Sequence, residues 1–175
     1  MKIEAEGLVQ QECNNQASDK IRVDFADTNC EISKNDRQSG NIECKLDHSP
    51  VAGRHHGKVS GICGNFDYSS TSPIDVPLIV DSITPSESLS NLGGDLLVLT
   101  GSGFSTLQAP EVALDDGTVC HVRSYTSTEI KCVTGRLDQF ALKSTYSLTV
   151  NVNGIQTSVD VKLSDTAQLA ESIAP

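Results

Sequence analysis

Six cysteines are the residues of this chain best suited to chemistry, and four of them recur in register. Cys120 stands in Gly-Thr-Val-Cys-His-Val, and Cys30 stands 90 residues earlier in Asp-Thr-Asn-Cys-Glu-Ile. Cys132 follows Glu-Ile-Lys, and Cys44 follows Asn-Ile-Glu 88 residues earlier. The intervals within the two pairs are 14 and 12 residues. Each pair is expected on two short strands joined by one connection, close enough for a disulfide to close. By loop entropy each bridge would contribute roughly 3 kcal/mol. Cys13 and Cys63 are left over, and pairing them would pin the segment around Cys13 onto the last strand of the first half. Metal binding is the competing chemistry, but no Cys-x-x-Cys occurs and the spacings fit no zinc pattern.

Other reactive constellations are sparse. The histidines are His48, His55, His56 and His121. On a strand, the adjacent His55 and His56 would point to opposite faces and grip one metal poorly. Asp115-Asp116-Gly117 offers hard oxygen ligands, yet between two strands it reads as ordinary turn chemistry. No Gly-x-Ser-x-Gly elbow is present, and no Ser, His and Asp stand in an order that implies a triad. No Asn-x-Ser/Thr acceptor occurs. The expectation is a chain that is not an enzyme, with no cofactor and no metal.

The elements that position these residues are strands. Tyr146, Leu148, Val150 and Val152 alternate with polar residues up to Asn153-Gly154. Ile155, Val159 and Val161 resume the alternation after it. Asn-Gly tolerates the positive φ values of a type I′ turn, so a two-residue hairpin is predicted. Leu96 to Thr100 runs as another strand into Gly101-Ser-Gly-Phe104. Shorter strands are expected at Ile21 to Phe25, Ile42 to Leu46, Glu111 to Leu114, Val119 to Val122 and Glu129 to Val133. Many short strands about ten residues apart, with turn signals between, predict an all-β sandwich.

The chain is 175 residues long, which favours two domains. Pro77-Leu-Ile-Val-Asp-Ser-Ile-Thr-Pro85 is echoed 90 residues later by Ala167-Gln-Leu-Ala-Glu-Ser-Ile-Ala-Pro175, the same offset as the cysteines. Gly7-Leu8 matches Gly103-Phe104 at an offset of 96, which puts about six extra residues around Gln10 to Asp19. The pattern predicts one β module in two copies, residues 1–76 and 77–166, with Thr71 to Val76 as a short linker. Residues 167–175 read as the opening strand of a further module or as a donor strand.

Residues 77–166 resemble the IPT/TIG domains, immunoglobulin-like modules of plexins, fibrocystin-type proteins and some transcription factors. The resemblance rests on Ile83-x-Pro85, Gly93-Gly94 and Leu97-x-Leu99-x-Gly101-x-Gly103-Phe104, followed by Val112-x-Leu114. It continues through Cys120-x-Val122, Ile130-x-Cys132 and Tyr146-x-Leu148-x-Val150-x-Val152-Asn-Gly154. The first module is similar through Val23-x-Phe25, Cys30-x-Ile32, Ile42-x-Cys44, Ala52-Gly53 and Phe66-x-Tyr68, but lacks an Ile-x-Pro strand before Ile3. Gly61-Ile-Cys-Gly-Asn-Phe-Asp67 also looks like a turn of von Willebrand type D domains, though only this heptapeptide matches. The family implies two tandem immunoglobulin-like sandwiches.

Charge narrows the function further. Thirteen Lys and Arg against 23 Asp and Glu give a net charge of −10, which argues against nucleic acid and anionic lipid as partners. No apolar run reaches the roughly 18 residues that cross a bilayer. Aromatics are 4% and Trp is absent, leaving little for sugar stacking. The expected role is an extracellular structural or interaction protein serving as spacer, adhesion surface or filament unit. The alternative is a ligand- or carbohydrate-binding module of a larger receptor or secreted enzyme. The expected partners are proteins, including copies of the chain joined head to tail. There Leu169, Ser172, Ile173 and Pro175 would complete a neighbour's first module by strand addition. Non-reducing peptide mapping is expected to recover Cys30 with Cys44, Cys120 with Cys132 and Cys13 with Cys63. Free thiols at Cys30 and Cys44 would contradict it.

Overall fold

The computed structural model describes residues 2–4, 21–36, 41–61, 66–69, 72–87, 89–138 and 142–164. Every regular element among them is a strand. The chain divides into two compact units, one of residues 1–50 and 54–76, the other of residues 51–53 and 77–175. In the first unit lie β1 (Lys2–Glu4), β2 (Ile21–Phe25), β3 (Thr28–Asp36), β4 (Asn41–Leu46), β6 (Gly57–Gly61) and β7 (Phe66–Ser69). Between β4 and β6 comes β5 (Gly53–His55), and after β7 comes β8 (Ile74–Val76). The six form one antiparallel sheet in the order β1-β4-β3-β2-β6-β7, while β5 pairs with β8. The segment 71–76 is therefore more than a linker. Half of it is a strand, and Asp75 on β8 accepts a hydrogen bond from Arg54 Nε on β5 at 3.1 Å.

The second unit is a two-sheet structure. One sheet runs β12-β13-β10-β9, made of β9 (Ile79–Thr84), β10 (Leu96–Ser102), β12 (Cys120–Tyr125) and β13 (Glu129–Thr134). The other runs β11-β14-β15, made of β11 (Glu111–Leu114), β14 (Thr145–Val152) and β15 (Ile155–Lys162). The hairpin turn falls at Asn153 (φ 53°) and Gly154 (φ 86°), as a type I′ turn requires. Alternation dictates burial: Leu97, Leu99, Ile130, Cys132, Tyr146, Leu148 and Val150 are all fully buried in one core. Removing each such aliphatic side chain from water contributes roughly 1.5–3 kcal/mol before entropy is subtracted. The first unit has a smaller core, built on Val23, Cys30, Cys44 and Val59, with Ile32 and Leu46 against it.

Two glycines meet steric demands that no other residue satisfies. The pairing of β10 with β9 slips between Thr100 and Gly101. At that bulge a Cβ on Gly101 would collide with the carbonyl of Ile79. Gly93 sits at φ +73°, and a Cβ there would strike the backbone of Gly135. Gly101→Ala is expected to destabilise the second unit by about 1–3 kcal/mol, read as a lowered thermal midpoint. A substitution at Gly101 without effect would show that the bulge can relax.

Candidate interaction surfaces

The chemistry the cysteines were expected to do is present at both repeat positions. Cys30–Cys44 and Cys120–Cys132 are disulfides, each with a Cα–Cα distance of 5.4 Å. All four residues are buried. Neither pair faces directly across the ladder. Cys120 is opposite Thr134 and Cys132 opposite Val122, just as Cys30 is opposite Leu46 and Cys44 opposite Ile32. Each bridge therefore spans a diagonal that is usually about 7–8 Å long. A bulge follows each cystine, between Val122 and Ser124 in one unit and between Ile32 and Lys34 in the other. Bulges add local twist, in keeping with a shortened diagonal. Beyond the bulge Ser124 faces Lys131, and Lys34 faces Glu43. The offsets of 90 on one strand and 88 on the other persist through every one of these pairs.

The equivalence extends to the sheets. Order β1-β4-β3-β2-β6-β7 in the first unit corresponds to β10-β13-β12, then β11-β14-β15, in the second. The two differ in two places: β9 pairs beyond β10 with no counterpart beyond β1 among the described residues, and one junction is looser in the second unit. β2 pairs continuously with β3 from Val23 opposite Cys30 to Phe25 opposite Thr28. In the second unit the matching contact is a single bridge, Ala113 to Val119. The two-residue difference between the cysteine intervals is confined to the connection from Asp36 to Asn41, compared with that from Thr126 to Glu129.

The bulge shapes the surface as well. On β12, Arg123 and Ser124 are both exposed, while Val122 and Tyr125 pack toward the core. Leu96 lies opposite Val133, which lies opposite His121, so one row of this outer face joins aliphatic side chains to a histidine. Leu96 is 52% exposed. Leu107, at 80%, is the most exposed large apolar side chain among the described residues. It is held on a shaped loop: the buried Ser105 hydroxyl accepts hydrogen bonds from the Leu107 and Gln108 N–H groups at 3.1 and 3.0 Å. The outer face of the other sheet is a polar ladder, in which Thr149 and Ser158 hydroxyls meet at 3.1 Å and Asn151 donates to Glu111 at 3.0 Å.

The buried Tyr146 ties this second sheet to its approach loop, its hydroxyl accepting the Lys143 N–H at 3.2 Å. The same corner recurs in immunoglobulin-like sandwiches. Nothing in the sequence distinguished Tyr146 from the aliphatic residues that share its alternation. The Lys143 ammonium lies 2.8 Å from Asp115. That hydrogen bond holds the Asp115 carboxyl below its ordinary range and raises Lys143. Glu87 is lowered in the same way by Lys162. Asp116 accepts the Thr118 N–H at 2.8 Å, so the Asp-Asp-Gly segment spends both carboxylates on turn and ion pair. Among the described residues no three His, Cys, Asp or Glu side chains converge on a metal position. No helix there is long and apolar enough to cross a membrane. His55 sets its ring edge-on to the buried Phe25 at 5.9 Å. Cys13, Cys63, Leu169, Ser172, Ile173 and Pro175 lie outside the described residues.

Residues 78–164 match the IPT/TIG domain family. The match runs from just before β9 to just past β15, and so takes in the whole of both sheets of the second unit. Among solved structures, the full extracellular region of plexin A4 aligns over 81% of this chain, at 18% identity and a TM-score of 0.44. SGBP-B of the Bacteroides ovatus mixed-linkage glucan utilization locus, solved in complex with a mixed-linkage heptasaccharide, aligns over 94%, at 14% identity and a TM-score of 0.33. The chain spans 14% of the first of these and 40% of the second. No curated protein matches it.

The Asp115 pair in the second unit gives a titration with a definite sign. A carboxyl lowered in the folded state contributes stability above its unfolded pKa and loses it as pH falls through the folded value. Full solvent contact keeps that contribution slight. Carboxyl-carbon NMR is expected to place Asp115 below the ordinary aspartate range, and Lys143→Met should return it upward. An Asp115 titration indifferent to Lys143→Met would contradict the pairing.

Proposed function

We propose that the chain is a non-enzymatic, extracellular interaction segment built of two IPT/TIG-type modules, serving as spacer, adhesion surface or assembly unit. The observation that carries this reading is the matched pair of cystine-clamped, bulged hairpins. Strand order and register agree between the unit that matches the family and the unit that does not. Two buried disulfides support an oxidising compartment. The net charge of −10 supports a solvated surface with protein partners. Exposed aliphatic side chains, Leu96 and Leu107 among them, supply apolar surface that a protein partner would remove from water. Head-to-tail joining through Leu169, Ser172, Ile173 and Pro175 is the finer form of this proposal.

A glycan array separates this reading from the carbohydrate-binding alternative. The purified, oxidised full chain is expected to give no saturable hits. Saturable binding to one glycan class would replace the structural role with a sugar-binding one.

A further inference from the structure

Strand β15 has a partner along one side only. β14 pairs with it from Thr145 opposite Lys162 to Val152 opposite Ile155. On the other side, pairing among the described residues begins at Lys162. There Lys162 N–H donates to Ser86, Leu89 N–H donates to the Lys162 carbonyl, and Leu163 bridges Leu89. From Ile155 to Val161 no described strand is hydrogen-bonded to β15 on that side, although β9 comes near it. An edge of this kind presents a row of backbone donors and acceptors that template another strand. The usual protections are missing over these seven residues. There is no proline and no lysine, the pairing has no bulge, and the one charge is Asp160. Ile155 and Val159 pack against the core yet remain half-buried, so an added strand would cover them.

We propose that this edge docks a second copy of the same chain, β15 against β15, antiparallel about Ser158. The inference deepens the interaction-module reading and rests on it. The sequence of β15 is self-complementary in this register. Ser158 meets its own copy, Gln156 meets Asp160 on both sides, Thr157 meets Val159 and Ile155 meets Val161. The amides of Gln156 donate to the carboxylates of Asp160, and no like charges face each other. Centring the pair two residues later would oppose Asp160 to Asp160, which is destabilising. Charge also selects this face. The whole chain carries −10, which repels a copy, but the outward residues of β14 and β15 are mostly uncharged, namely Thr145, Ser147, Thr149, Asn151, Gln156 and Ser158, with Asp160 the one carboxylate among them and the Lys162 ammonium held by Glu87. The product is a continuous six-stranded sheet with two-fold symmetry, an isologous contact that closes at two copies. An edge contact buries little area, so the dimer is weak.

Sedimentation equilibrium of the full chain from roughly 10 µM to 1 mM tests this. The apparent mass is expected to rise toward twice the monomer value. Ser158→Lys sets two cations against each other and should weaken association at least tenfold, with an unchanged thermal midpoint. Ser158→Cys should form a covalent dimer in an oxidising buffer, while Thr149→Cys on β14 should not. Removing Ala167–Pro175 should leave the dimer intact. A monomer throughout, a dimer indifferent to Ser158→Lys, or a dimer lost only with Ala167–Pro175 would each overturn the proposal. None of these results bears on glycan binding, so the wider reading stands or falls separately.

Discussion

A cystine placed across the diagonal of a bulged hairpin is the constraint from which the rest of each unit follows. It fixes which residues of two strands face inward, because both sulfurs must point into the core. Once β12 and β13 are locked in this register, Cys132 sets Leu97 opposite it, and alternation buries Leu99 and Ile130. A slip of one residue would turn every one of these side chains to water. The cystine also limits the unfolded chain, by roughly 3 kcal/mol for loops of this length. That matters in a chain with no tryptophan and 4% aromatic residues. In the first unit, where the buried cluster is Val23, Cys30, Cys44 and Val59, the bridge is itself a large share of the core.

Bulge and bridge together shape the surface. By turning Arg123 and Ser124 outward in succession, the bulge changes which side chains β12 offers to a partner while Val122 and Tyr125 stay against the core. The resulting outer face mixes aliphatic and cationic groups, whereas the opposite sheet presents hydroxyls and amides.

Much of this was legible in the sequence, for a physical reason. Half-buried strands write their period directly into residue type, so the hairpin around Asn153-Gly154 and the strands expected at 96–100, 111–114 and 129–133 fell within two residues of the observed ones. The cysteine offsets stood out because covalent geometry tolerates no drift, and the registers of the two cystine hairpins agree with them. What stayed hidden lacked such a mark. β5 and β8 are three residues each, too short for a period, and Ser72-Pro73 masked β8 as a linker. The bulges leave no signature at Ser33 or Arg123, since most residues fit there. Tyr146 looked like one more apolar position, because its hydroxyl finds its partner in a loop three residues away.

The central claim is that the two units share one clamped hairpin, down to the bulge. Cross-strand nuclear Overhauser contacts on the oxidised, isotope-labelled chain test it most directly. The account predicts Val122 beside Cys132 and Ser124 beside Lys131, and equally Ile32 beside Cys44 and Lys34 beside Glu43. A first unit with an unbulged β3–β4 ladder, or with its register moved by one residue, would contradict it.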